Sequence, residues 1–155
     1  MTENNGSQQG FIEKGILTDF QVSEPASTFG SIVPPVSIAS NPNFSNLATV
    51  SIEIDDLTDK VWLNASVGLV AQFSNAHTVD VTLQILRGTT LIYQTVKSLS
   101  STSSGTVRDT VYLEHVDTTP LTGSPSAVNY TLRAQANDSI VTTSGPITFT
   151  AAEIE

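Results

Sequence analysis

Along residues 61–73 apolar positions alternate strictly with a second series. Val61, Leu63, Ala65, Val67, Leu69, Ala71 and Phe73 form one set, and Trp62, Asn64, Ser66, Gly68, Val70 and Gln72 the other. Successive side chains of a β-strand point to opposite faces, so this run has one apolar face and one mixed face. The period returns in Val128, Tyr130, Leu132, Ala134 and Ala136, with polar residues between them. Two further runs, 78–87 and 90–98, flank Gly88-Thr89 and predict a hairpin. Its first strand buries Val79, Val81, Leu83 and Ile85 and exposes Asp80, Thr82 and Gln84. Strands are predicted at 47–54, 60–73, 78–87, 90–98, 105–116, 127–136 and 146–152, with a short one at 139–143. Turn-forming Asp, Asn, Gly, Pro and Ser clusters separate them.

Seven or eight short strands predict an all-β fold, an antiparallel β-sandwich of jelly-roll-like topology with an extended N-terminal arm. An immunoglobulin-like sandwich is the rival, but its buried tryptophan would have to be Trp62, which lies on the mixed face. The first third of the chain follows another pattern. Residues 1–10 are polar. Residues 11–22, FIEKGILTDFQV, carry Phe11, Ile12, Ile16, Leu17, Phe20 and Val22. They read as a strand interrupted at Gly15 or as an arm that docks on a neighbour; the spacing of Ile12, Ile16 and Phe20 also fits a helix, against which Gly15 and the β-branched residues count. Residues 23–42 are punctuated by Pro25, Gly30, Pro34, Pro35 and Pro42 and read as a connector, with a short edge strand at 31–33 or 36–39. The expected division is an arm and Pro-rich connector over 1–46 and a β-sandwich domain over 47–155.

The formal net charge is −9, and the six basic residues are scattered. Phosphate backbones and anionic membrane surfaces both require clustered Lys and Arg, so neither is an expected partner. No apolar run is long enough to cross a membrane as a helix. The N-terminus lacks the basic and apolar regions of a signal peptide, and production without one is expected. Cysteine is absent, which removes disulfides, thiolate metal sites and thiol nucleophiles.

Candidate chemistry is sparse. His77 and His115 are the imidazoles available to a nucleophile, and no GxSxG elbow accompanies them. No catalytic residue, enzyme activity or cofactor is expected. Asp55, Asp56 and Asp59, in EIDDLTDK, offer oxygens of the kind Ca²⁺ takes, but no EF-hand spacing is met and a turn selects Asp on its own account. No metal site is assigned. Trp62 and Tyr112 are predicted to face outward, and Tyr93 is ambiguous. An outward aromatic can stack on a sugar or pack at a subunit interface, where Trp and Tyr are enriched; the interface reading is preferred.

The segments KVWLNASVGL, LQILRGTTLIYQT, HVDTTP, NYTLRAQAND and SGPITFTAAEI occur in that order. Together they resemble the small β-sandwich head domains of spore-surface (exosporium and collagen-like) proteins of Bacillus and Paenibacillus relatives, jelly rolls similar to the C1q/tumour-necrosis-factor type. The resemblance covers about two-thirds of the chain and carries no catalytic residues. It implies a non-enzymatic structural protein of the spore surface, made without a signal peptide, that forms trimers or filaments with itself and contacts other spore-surface proteins. No Gly-X-Y tract is present, so a collagen stalk is not implied. The expected interface residues are Phe11, Ile12, Ile16, Leu17, Phe20 and Trp62. The alternative is an adhesin-like module for carbohydrate or a host surface, contacting it through Trp62 and Tyr112.

Overall fold

The computed structural model describes residues 16–155. These residues form β1 (Leu17–Ala26), β2 (Val36–Ser37), β3 (Ser45–Ile54), β4 (Lys60–Phe73), β5 (His77–Arg87), β6 (Thr90–Ser101), β7 (Gly105–Asp117), β8 (Ser126–Ala136), β9 (Val141–Thr143) and β10 (Ile147–Ile154). The first sheet runs β1-β10-β4, with β7 on the far side of β4 and the short β9 and β2 continuing the line of β10; the second sheet runs β3-β8-β5-β6. All strand pairings within the two sheets are antiparallel. If the eight long strands are counted in chain order, the sheets read 1-8-3-6 and 2-7-4-5. That order is a jelly roll, and it decides against the immunoglobulin-like alternative.

The alternation read from the sequence places the core. Val61, Leu63, Val67 and Leu69 of β4 meet Val79, Val81, Leu83 and Ile85 of β5 and Tyr130, Leu132 and Ala134 of β8 in one cluster, all nearly or fully buried. Burying a side chain of this size stabilises the fold by roughly 1.5–3 kcal/mol relative to leaving it in water. The hairpin of β5 and β6 closes at Gly88, whose φ of 57° is the left-handed value such a turn needs.

A buried polar group ties the ends of β5 and β7 to the middle of β8. Asp117, at the end of β7, accepts from Arg87 Nη1 at 2.8 and 2.9 Å, from the Tyr130 hydroxyl at 2.9 Å and from the Thr119 amide at 3.2 Å. Arg87 Nη1 also donates to the Thr119 carbonyl. Burial, and then the adjacent Asp117 carboxylate, push the Tyr130 phenol well above its ordinary range.

The expected boundary near residue 46 is not where the fold divides. Leu17–Ala26 is the outer strand of the first sheet, paired with β10 of the same chain from Leu17↔Ile154 to Ala26↔Ile147. Gly15, where the sequence suggests an interruption, lies outside the described residues; β1 starts at Leu17 and is irregular between Leu17 and Phe20 and again between Ser23 and Ala26. Pro25 falls in the second irregularity, on an edge, where its missing N–H costs no ladder bond. The connector therefore shrinks to the stretch between β1 and β3. It carries the short strand Val36–Ser37 and no strand at 31–33. Phe11 and Ile12 lie outside the described residues.

Candidate functional site: the outer face of the first sheet

The two sheets present different outer faces. The second sheet shows mainly Thr49, Ser51, Thr82, Asn129, Thr131 and Gln135, with Val96 exposed beside Thr82; Gln84, expected to be exposed, is buried between Gln94 and Arg133, to which it is hydrogen-bonded. On the first, the strand registers align Phe20 of β1, Ala152 of β10, Trp62 of β4 and Val116 of β7 in one row across four strands. Phe20 is 54% exposed, Trp62 41% and Val116 43%. The neighbouring register places Leu17 beside Ile154, which lies opposite Lys60. Leu17, Phe20, Trp62, Ala152 and Ile154 line a shallow apolar groove of about 310 Å³, with Asn64 and Thr150 at its polar end. An apolar patch that crosses a whole sheet is uncommon on a surface that only water contacts.

Beyond Asn64 the face changes character. The row Thr150, Asn64, Glu114 and then the row Thr148, Ser66, Tyr112 follow in register. These residues bound a second hollow of about 420 Å³. Tyr112 stands over it, 78% exposed. The Trp62 indole N–H donates to Glu114 Oε1 at 3.1 Å, which orients the ring along the face. The Ser66 and Thr148 hydroxyls share a hydrogen bond of 2.6 Å.

The far end of β4 is closed by the chain itself. The mixed-face residues Gly68 and Val70 are buried there. At Gly68 the partner of β4 changes from β10 to β9, and the intervening Ser144-Gly145-Pro146 segment lies against the strand. The stretch after β1 covers that segment: the Ile32 amide donates to the Ser144 carbonyl at 3.2 Å. The mixed face is thus internal at Gly68 and Val70 and open from Lys60 to Ser66, and it is exposed again at Gln72.

The open surface also departs from the charge of the chain. Its outward positions on β10, β4 and β7 carry one cation, Lys60, and one anion, Glu114, in a chain of net charge −9; Arg108, opposite the buried Val70, lies over the Phe29 ring at the closed end. The acidic residues are elsewhere, and three of them meet. Carboxylate oxygens of Asp55, Asp59 and Glu153 lie within 4.8 Å of one another beside the start of β4. Asp59 and Glu153 are almost fully buried. Glu153 accepts from Thr18 Oγ1 at 2.5 Å and from the Asp55 amide at 3.3 Å, and Asp59 accepts from the Asp56 amide at 3.2 Å. Burial, and then the Glu153 carboxylate, push Asp59 up to about 6. Asp56 is a turn residue: it accepts from the amide and hydroxyl of Thr58, each at 2.8 Å, and these bonds hold it below the usual carboxylate range.

Of the residues expected at an interface, Leu17, Phe20 and Trp62 come together at the groove, and Ile16, 59% exposed, precedes it. Tyr112 borders the adjoining hollow. The sequence reading missed Val116, Ala152 and Ile154, which complete the apolar surface, and Glu153, which joins the Asp loop. Alternation along 147–154 marks Thr148, Thr150, Ala152 and Ile154 as one face, but only strand pairing places that face beside Trp62. The histidines remain apart from these features. His77 Nε2 lies 3.3 Å from Asp138 with both side chains substantially exposed. His115 packs on Tyr93 with ring centroids 5.4 Å apart, which settles Tyr93 between the edge strands β6 and β7.

No family model matches the chain, and no curated protein matches it. Among solved structures it is similar to a chain of the T13 viral particle of IBDV, at 11% identity and a TM-score of 0.46, over 86% of this chain and 30% of the other. It is similar to dimeric latent PorU from Porphyromonas gingivalis at 14% identity and a TM-score of 0.46, over 88% of this chain and 13% of that one. The infectious bursal disease virus Gt strain supplies a third, at 11% identity and a TM-score of 0.43, over 88% and 32% of the two chains. This chain therefore spans less than a third of each of these. Such values assign neither a family nor an activity.

Proposed function

We propose that this chain is a non-enzymatic structural protein that associates with copies of itself through the outer face of its first sheet, and that it serves at a bacterial spore surface. The row Phe20–Ala152–Trp62–Val116 carries the reading: it is an apolar surface, near neutral in a chain of net charge −9, on one sheet of two. Two copies of so acidic a chain repel, and a face depleted of carboxylates is where they can meet. Burying the half of Phe20 and Trp62 that remains exposed would supply roughly 1 kcal/mol each.

The occupant of the groove is the N-terminal segment of a second copy. Phe11 and Ile12 supply apolar side chains, and Glu13 complements Lys60 beside the groove. Fifteen residues precede Ile16, an extended reach of about 50 Å, enough to leave one molecule and lie on another. The spore-surface setting rests on the sequence resemblance, and trimer and filament both fit this mode of contact.

Light scattering on the full-length protein tests the reading. The expected result is a mass above that of one chain, rising with concentration, and reduced by Trp62→Glu in a protein that stays folded. A monomer at every concentration, or an assembly indifferent to Trp62→Glu, overturns it.

A further inference from the structure

The hollow beside the apolar groove has a different chemistry, and it suits a ligand that is neither a protein segment nor an ion. Its walls are Asn64 and Ser66 on β4, Tyr112 and Glu114 on β7, and Thr148 and Thr150 on β10. Its volume of about 420 Å³ lies within the range of small-molecule sites. The hydroxyls of Ser66 and Thr148 bond each other, and Glu114 commits one oxygen, Oε1, to the Trp62 indole. The second Glu114 oxygen, the Asn64 amide and the Tyr112 phenol have no partner among the side-chain hydrogen bonds of the described residues. One carboxylate oxygen, one amide and one phenol therefore converge on the hollow as acceptors and donors for a neutral polar ligand.

Two aromatic rings flank these groups. Ser66, the register partner of Tyr112, is four residues from Trp62 along β4, about 13 Å at the usual strand rise. The polar row of Asn64 and Glu114 lies midway between the two. A surface with an aromatic ring at each end and hydrogen-bonding groups between matches a chain of sugar rings. The C–H faces of pyranoses pack on aromatic rings, and their hydroxyls exchange bonds with carboxylate and amide groups. Glu114 and the acidity of the whole chain disfavour uronic or sialic acids.

We infer that this hollow is a binding site for an uncharged oligosaccharide, with Tyr112 as its stacking platform and Asn64 and Glu114 as its hydrogen-bonding residues. It adjoins the proposed assembly groove and shares Asn64 and Thr150 with it, whereas Ser66, Tyr112, Glu114 and Thr148 belong to the hollow alone. An open, shallow site binds weakly as a single copy. Repeated on an assembly, it would gain from avidity on a polymeric glycan.

Titration of the full-length protein with cellohexaose, chitohexaose and mannohexaose, followed by amide NMR shifts, tests the site. At least one should shift amides of β4, β7 and β10 around Asn64. Tyr112→Ala should weaken that binding roughly tenfold or more, the loss expected when a stacking ring contributing about 1.4 kcal/mol is removed. The exposure of Tyr112 makes this variant safe for folding, and its mass by light scattering should equal that of the parent. A trigalacturonate control should not bind. If none of the three neutral hexasaccharides shifts these amides at millimolar concentration, or if Tyr112→Ala binds as the parent does, the inference fails. The result is separate from the assembly reading, because short oligosaccharides report one site whether or not the protein is associated.

Discussion

Gly68 and Gly145 are packed backbone to backbone. A Cβ built on Gly68 would lie 2.1 Å from the Gly145 carbonyl oxygen, and the Gly68 amide donates to the Pro146 carbonyl at 2.7 Å. No side-chain rotation relieves such a clash, because the opposing atoms are backbone. This contact lets the last strand of the first sheet break into β9 and β10 while both stay paired with β4.

Gly68→Ala should therefore destabilise the fold by about 3 kcal/mol or more, the upper range for overpacking a filled interior. Urea unfolding of the parent and variant measures it as a lower midpoint with little change in slope. A cost under about 1 kcal/mol would show that the strand break can move aside.

The Asp55–Asp59–Glu153 group predicts a pH response of unusual sign. Asp59 is held up to about 6 by burial and by Glu153, above its ordinary 3.8. An acid whose folded pKa is raised contributes stability that is fully present below the unfolded value and is lost as pH rises through the folded one. The share due to Asp59 should thus be full only below about pH 3.8 and lost progressively as pH rises to about 6. Asp59→Asn should stabilise the protein at pH 7 relative to parent and flatten the dependence between pH 4 and 7. Thermal melts across that range would refute the assignment if the two proteins ran parallel.

Asp117 is the hub for Arg87, Tyr130 and Thr119, and it is 4% exposed. Tyr130→Phe removes one hydrogen bond and should cost about 1–2 kcal/mol. Asp117→Ala strands a half-buried guanidinium and a buried phenol and should cost about 3–5 kcal/mol. Equal effects of the two substitutions in chemical denaturation would contradict the hub role.

The assembly reading predicts that the apolar residues of the N-terminal segment act through Trp62. Phe11→Ser with Ile12→Ser, made in the full-length chain, should lower the association seen in light scattering. Added to Trp62→Glu, the pair should have little further effect, since both changes remove the same contact. Fully additive losses would place the segment on another surface. Because Leu17–Ala26 is a strand of the sandwich, truncation through residue 22 would damage the fold and is not an equivalent test.

Strand positions, the inward series of β4, β5 and β8 and the Gly88-Thr89 hairpin were legible in the sequence, because a strand with one buried face writes its period of two into the chain. The part of β1 after Val22 was not, because Pro25 reads as a breaker unless the strand is known to be an edge with an irregular register. Glu153 read as an ordinary residue near the end of the chain; its burial beside Asp59 follows from the pairing Glu153↔Val61, a contact between residues far apart in sequence.

The same division holds for the site. The sequence alone determined that residues 61–73 form a strand with a mixed second face, that Trp62 and Tyr112 point away from the core, and that clustered positive charge is missing. Only the tertiary structure decided which part of that face is open. It buried Gly68 against the chain's own Ser144–Pro146 region, with Val70 buried farther along the strand, and left Trp62, Asn64 and Ser66 facing outward. It also brought Phe20, Ala152 and Val116 into line with Trp62 and set Tyr112 beside Ser66. The physical reason is that alternation is a local property of one strand, whereas a surface is made by register between strands, and register is fixed by contacts distant in sequence.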